Sequence, residues 1–234
     1  MNLTEKKRGG CLKYGLICAA VFVLIAVLGA LFDTDEPSKD AGAKQEDTFM
    51  AYLDSLPDRV INRDSILQVM KRDYTFERDE FSNSGIVWVK PKSIPKSRNR
   101  NGVYCYFSLT DSVPSNFRFV LQYAGEQWLM LNDCTFNLDG VNWTYRPLKV
   151  ERDHDSRIWE WFDDAVDMNI SMFLYNVGQS KQVKVKLNGQ KYYDTYTLKA
   201  SETASIRQTL EHYEALGGKH PSTSAQRPIA FRKP

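Results

Sequence analysis

The chain has 234 residues, of which 26% are Asp, Glu, Lys or Arg, and a net charge of +2. Residues 1–13 hold four bases and one acid, which leaves 27 bases against 28 acids in the rest. That near-neutral remainder excludes a polyelectrolyte binder, so no specific nucleic-acid partner is expected.

The amino-terminal region sets the address. Gly15 to Phe32, GLICAAVFVLIAVLGALF, is eighteen residues without a charge, and with Leu12 to Tyr14 it spans about 31 Å as a helix, close to one bilayer core. Lys6, Lys7, Arg8 and Lys13 precede it, while Asp33, Asp35 and Glu36 follow it. An excess of bases on that side keeps the amino end in the cytoplasm. The expectation is a cytoplasmic terminus over 1–11, a single-pass transmembrane helix over 12–32 contacting membrane lipid, and a domain in the periplasm or outside the cell. Two alternatives stay open. A cleaved signal peptide has the same charge order, but its apolar part is usually about 7–15 residues long and ends at an A-x-A-like site, and Val27-Leu28-Gly29 matches that weakly. The other is a helix buried in a soluble fold.

Residues 33–47, DTDEPSKDAGAKQED, have no large apolar side chain and read as a flexible tether reaching about 20 Å. A globular domain is expected over 48–217. Phe49, Tyr52, Leu53 and Leu56 recur at helical spacing, with Pro57 as the stop, and Ile66, Leu67, Val69 and Met70 predict a second helix capped by Asp64 or Ser65. From Gly85 the period becomes two. Residues 86–90, 102–109, 116–123, 127–131, 134–138 and 141–146 predict short strands rich in β-branched and aromatic side chains. Asp139-Gly140 and Asn188-Gly189 predict two hairpins with type I′ turns. The segment from Arg157 predicts a strand passing into a helix at about Asp163 to Val177. A last helix is expected over 200–216, stopped by Gly217-Gly218, with a disordered tail over 218–234. Helices at both ends of a run of strands predict an α+β fold: an antiparallel sheet or sandwich with flanking helices, preceded by the transmembrane helix.

The chemistry-bearing residues are few. Cys105 and Cys134 in the domain either form a disulfide, enclosing 28 residues and contributing about 3–4 kcal/mol, or pack as buried thiols. Lys90, Lys92, Lys96, Arg98 and Arg100 crowd an exposed loop with two prolines, which is either solvated or grips an anion such as a lipid headgroup or glycan. His154 stands among Glu151, Asp153, Asp155 and Glu160. Without an EF-hand spacing, that run reads better as a wet acidic turn than as a cation site. Trp88, Trp128, Trp143, Trp159 and Trp161 are divided between core and a ligand groove. Asn142-Trp143-Thr144 and Asn169-Ile170-Ser171 fit the glycosylation acceptor pattern. G-x-S-x-G, H-E-x-x-H, Walker, G-x-G-x-x-G and C-x-x-C motifs are all missing from the sequence, so no catalytic residue, metal ligand or cofactor is assigned.

The ordered series DEFSNSGIVWVKPKSIPKSRNRNGVYCYF, FVLQYAGEQWLML, NLDGVNW, IWEWFDD, VKVKLNGQKYYDTYTL and LEHYEALGG resembles a group of uncharacterised bacterial envelope proteins. Their globular part sits behind an amino-terminal signal or anchor, and the likeness covers about residues 74–217. It implies an envelope protein and brings no activity with it. The expected function is therefore a binding module displayed outside the membrane, with an unknown envelope protein or glycan as partner. The alternatives are an envelope hydrolase with an unrecognised site and a secreted effector released by cleavage.

Overall fold

The structure, a computed structural model, describes residues 41–56, 62–78, 80–81 and 84–222. The cytoplasmic terminus, the transmembrane helix, the first part of the tether and the tail from 223 lie outside the described residues. Among the described residues, no helix is long and apolar enough to cross a membrane.

Helix α1, Ala41–Ser55, takes in residues 41–47 of the expected tether, because Ala, Lys, Gln and Glu propagate a helix once the amphipathic segment after them is ordered. Its Phe49 is buried and its Tyr52 and Leu53 half-buried, as their spacing predicts. Pro57 lies outside the described residues. Helix α2, Arg63–Met70, starts from Asn62 and not from Asp64 or Ser65: the Asn62 side-chain oxygen Oδ1 accepts the Ser65 N–H at 3.0 Å.

Ten strands follow, in two antiparallel sheets. In chain order they are β1 Tyr74–Arg78, β2 Val87–Pro91, β3 Gly102–Thr110, β4 Val113–Gly125, β5 Asp133–Leu138, β6 Val141–Tyr145, β7 Glu151–His154, β8 Ile158–Ala165, β9 Val183–Asn188 and β10 Tyr193–Thr197. One sheet has the order β1-β2-β3-β4-β8-β7, the other β10-β9-β5-β6. Helix α3, Met168–Gln179, lies between β8 and β9, and α4, Ala200–Ala215, follows β10. The fold is α+β, with antiparallel sheets and flanking helices.

Several expected elements are displaced, each for a physical reason. Residues 127–131 form no strand. They carry the chain from one sheet to the other, Met130 turns to φ 53°, and the N–H groups of Met130 and Leu131 donate to the buried Glu160 carboxylate at 2.9 and 2.8 Å instead of to a strand. The strand containing Trp159 and Trp161 does not yield to a helix at Asp163; its alternating burial runs on through Asp164. Helix α3 begins only after Asp167, whose carboxylate accepts the Ile170 N–H at 2.9 Å. The acidic segment around His154 is a strand pair, β7 on β8, with Arg152 opposite Glu160.

Both predicted hairpins are present, with different turns. Asp139 and Gly140 join β5 to β6 at φ 49° and 98°, the positive values a type I′ turn needs. In the other hairpin Asn188 already faces Tyr193, so the loop is 189–192. Gly189 is there for closeness, since a Cβ would come within 2.0 Å of the Leu129 carbonyl oxygen. An unexpected third tight turn joins β3 to β4 through Asp111 and Ser112, at φ 50° and 65°. Helix α4 closes with Gly217 N–H on Glu214 O and Gly218 N–H on Tyr213 O, a Schellman end.

Residues 219–222, expected within the tail, are tied down. The Met168 N–H donates to Pro221 O and the Tyr213 hydroxyl to Lys219 O, each at 3.0 Å. The His220 ring packs edge-on to Phe117, with Nε2 3.5 Å from a Glu214 carboxylate oxygen. The other oxygen of Glu214 accepts the Tyr52 hydroxyl at 2.5 Å, so α1, α4 and this segment are knitted together.

One apolar core joins the inner faces of both sheets to α3 and α4. Phe119 of β4 meets Phe136 of β5, Tyr145 of β6, Phe162 of β8 and Phe173 of α3 at ring separations of 5.2–6.3 Å. Tyr213 of α4 packs on Phe107 and Phe117. Trp143 is wholly buried in this core, while Trp88, Trp128, Trp159 and Trp161 are half-buried.

Candidate functional site

Alternation along the strands puts two rows of side chains on opposite faces. Cys105, Phe107 and Leu109 of β3 enter the core, which turns Tyr104 and Tyr106 outward. Register then sets Tyr106 beside Arg118 of β4, Val120 beside Asp163 of β8, Gln122 beside Trp161, and Glu77 of β1 beside Trp88 of β2. The segment between β2 and β3 folds back over this outer face. The Gln122 amide holds it by donating to Ser97 O at 2.9 Å and Arg100 O at 2.7 Å, and Asn101 accepts the Ala124 N–H at 2.7 Å. The result is a cleft of about 660 Å³ between the sheet and the loop.

Asp163 organises its floor. One carboxylate oxygen accepts Arg118 Nε at 2.9 Å and the other accepts the Tyr106 hydroxyl at 2.7 Å. Arg98 from the loop approaches the same carboxylate at 3.6 Å, donates to the Tyr104 hydroxyl at 3.1 Å and stands 5.5 Å from the Trp161 ring. Burial, followed by the hydrogen bond to Asp163 and its charge, pushes the Tyr106 phenol well up. Burial likewise raises Tyr104, against the pull of Arg98. For Arg118, burial would lower the pKa, but the Asp163 hydrogen bond and charge outweigh it and the net direction is upward. Two guanidiniums thus share one carboxylate, which leaves one positive charge uncompensated.

Of the five basic residues singled out in the sequence, four line this cleft and one does not. Lys90 pairs with Glu77 at 2.5 Å and lies 5.9 Å from the Tyr106 ring. Lys92 donates to Lys71 O and Arg72 O at 3.0 and 2.8 Å, closing the carboxyl end of α2. Lys96 lines the cleft with Arg98, and among the described residues it has no ion-pair or hydrogen-bond partner. Arg100 borders a separate recess with Tyr196 and Glu202. The cleft therefore holds Lys90, Lys92, Lys96 and Arg98 against the Glu77 carboxylate. Such an excess of cations with spare donors takes an anion.

Asp163, Arg118, Tyr104, Tyr106 and Glu77 were not singled out from sequence. Period two was the available signal for the tyrosines, because it places them opposite Cys105 and Phe107. Asp163 had no local signal, since its partners lie 45 and 57 residues away.

The two domain cysteines take the second of the alternatives open to them: both are free and buried, Cys105 on β3 of one sheet and Cys134 on β5 of the other. Burial raises both thiols, and Asp163 adds to the effect at Cys105, so neither is an activated nucleophile. His154 is exposed, 6.2 Å from the Trp128 ring. Among the described residues no group of three or more His, Cys, Asp or Glu is placed to hold a metal. Of the two glycosylation-type asparagines, Asn142 accepts a hydrogen bond from Asn137 across β5 and β6, while Asn169 lies in the first turn of α3.

Comparison with protein-family models, curated proteins and solved structures found no match.

Proposed function

We propose that the chain is a single-pass bacterial envelope protein whose domain, held outside the membrane by the apolar amino-terminal helix, binds an anionic partner in the cleft beneath residues 92–101. The observation that carries this reading is the charge inventory of the cleft: four lining cations outnumber the one lining carboxylate, Glu77, the Asp163 carboxylate beneath them is shared by Arg98 and Arg118, and Lys96 and Arg98 keep N–H donors unspent. The carboxylates at hand are engaged, Asp163 by Arg118 and Tyr106, and Glu77 by Lys90. They support recognition rather than acid–base work.

The anchor rests on the eighteen uncharged residues from Gly15 to Phe32 and on the bases before them. Two measurements test the proposal. Alkaline carbonate washing of membranes is expected to leave the full-length chain in the pellet; uncut chain in the aqueous fraction contradicts the anchor. On a carboxymethyl cation-exchange matrix at low salt, a variant with Lys96→Ser and Arg98→Ser is expected to elute at clearly lower salt than the parent chain. Identical elution contradicts the cleft.

A further inference from the structure

The side chains of the cleft separate one class of anion from the others, an inference that rests on the binding reading above. We infer that the cleft receives the uronic-acid units of an acidic polysaccharide. Three observations converge on it. Arg98 donates one hydrogen bond, to Tyr104, and its contact with Asp163 is a 3.6 Å ion pair, so most of its five N–H donors remain for a planar carboxylate. Beside it the half-buried Tyr106 ring lines the cleft, with Lys90 5.9 Å from its centroid and Trp88 packed against it at 5.4 Å, an aromatic surface held in place for a sugar ring to pack against.

The third observation is Glu77. Its carboxylate lines the same cleft as the cations and is 52% exposed. By holding Lys90 through one oxygen it withdraws that cation from a densely charged phosphate or sulfate chain, while its exposed side still accepts hydroxyl hydrogen bonds from a sugar that carries only one charge per ring. A membrane surface fits less well. Lys90 and Arg98 are recessed, 30% and 36% exposed, and Lys92 is spent on α2, whereas attraction to anionic lipid needs a cluster of free outward bases. At about 660 Å³ the cleft lies within the size range of ligand sites, roughly 300–1,000 Å³.

The test uses the full-length chain in neutral detergent at low salt, where such attractions are least screened. Three probes are compared: polygalacturonate, the same polymer with its carboxyls reduced to alcohols, and inorganic polyphosphate. Polygalacturonate is expected to bind tightest, with carboxyl reduction or Arg98→Gln each weakening it by about tenfold, the loss of one charge-assisted hydrogen bond. Because Arg98 also touches Asp163, Lys96→Gln serves as a second variant that breaks no hydrogen bond or ion pair among the described residues; it is expected to weaken binding by a smaller factor. Glu77→Gln is expected to shift preference toward polyphosphate. Polyphosphate bound at least as tightly as polygalacturonate, with the same dependence on Arg98 and Lys96, overturns the sugar assignment and leaves the cleft standing. Binding unchanged by carboxyl reduction also overturns it. Indifference of every probe to both variants overturns the cleft itself.

Discussion

On the outer face of the six-stranded sheet, Lys90, Tyr106, Arg118 and Asp163 bind one another and Arg98 of the loop above them. The four-stranded sheet turns outward Thr135, Asn137, Thr144, Lys184, Lys186, Thr195 and Thr197, polar side chains in contact with solvent, with Lys186 over the exposed Tyr193 ring at 4.3 Å. Its contacts are cross-strand pairs such as Asn137 with Asn142 and Asn188 with Asp133. Both faces follow the same period-two rule. Among the described residues, only the first has a loop folded over it and a buried amide, Gln122, to hold that loop. A sheet face becomes a recess when long side chains meet a covering segment; polarity alone leaves a wet surface.

Substitutions can break or sharpen that contrast. The largest effect is expected at Glu160, wholly buried beneath the crossing between the sheets, with Arg152 at 3.0 Å and two backbone N–H groups on its carboxylate. Glu160→Ala should cost about 3–5 kcal/mol in urea unfolding, since it orphans a buried donor set. Next is Asp163→Asn, which removes the charge shared by Arg98, Arg118 and Tyr106; about 1–3 kcal/mol is expected, and a loss near zero would mean the outer faces do not differ.

The inner side of the same sheet carries a pH-dependent contribution. Burial lowers the His212 pKa below its ordinary 6.5, with Asp73 opposing, and its Nδ1 lies 3.2 Å from the Tyr74 hydroxyl. The unfolded chain then binds the proton more readily than the folded one. Stability should be complete above pH 6.5 and decline as pH falls from 6.5 through the lowered value, by at most about 1.4 kcal/mol per pH unit. His212→Asn should flatten that decline in unfolding curves taken from pH 7 to 5. The smallest effect is expected on the four-stranded face, where Thr195→Ala should stay within about 0.5 kcal/mol of the parent chain.

Much of the scaffold is legible in sequence because its signals are local. Alternation reveals β3 and β4, Asp139-Gly140 reveals the β5–β6 turn, and Lys90 to Arg98 stand out as a basic run broken by Pro91 and Pro95. What escaped depends on partners distant in the chain. Asp163 looks like a helix start until β8 is laid beside β4, and Leu129 with Leu131 looks like a strand until Glu160 takes the N–H groups of the crossing. His220 reads as part of a polar tail, yet it lies between Phe117 and Tyr213, residues from two separate elements. Asp111-Ser112 was missed for a different reason: a type I′ turn prefers Gly or Asn, and here two ordinary residues are held at positive φ by the paired strands around them.

The most direct measurement is amide hydrogen exchange of the full-length chain in neutral detergent, with and without polygalacturonate at low salt. Slowed exchange over residues 94–106, with Lys184 to Thr197 unchanged, is the predicted result. Protection confined to the four-stranded sheet, or found nowhere, would contradict the account.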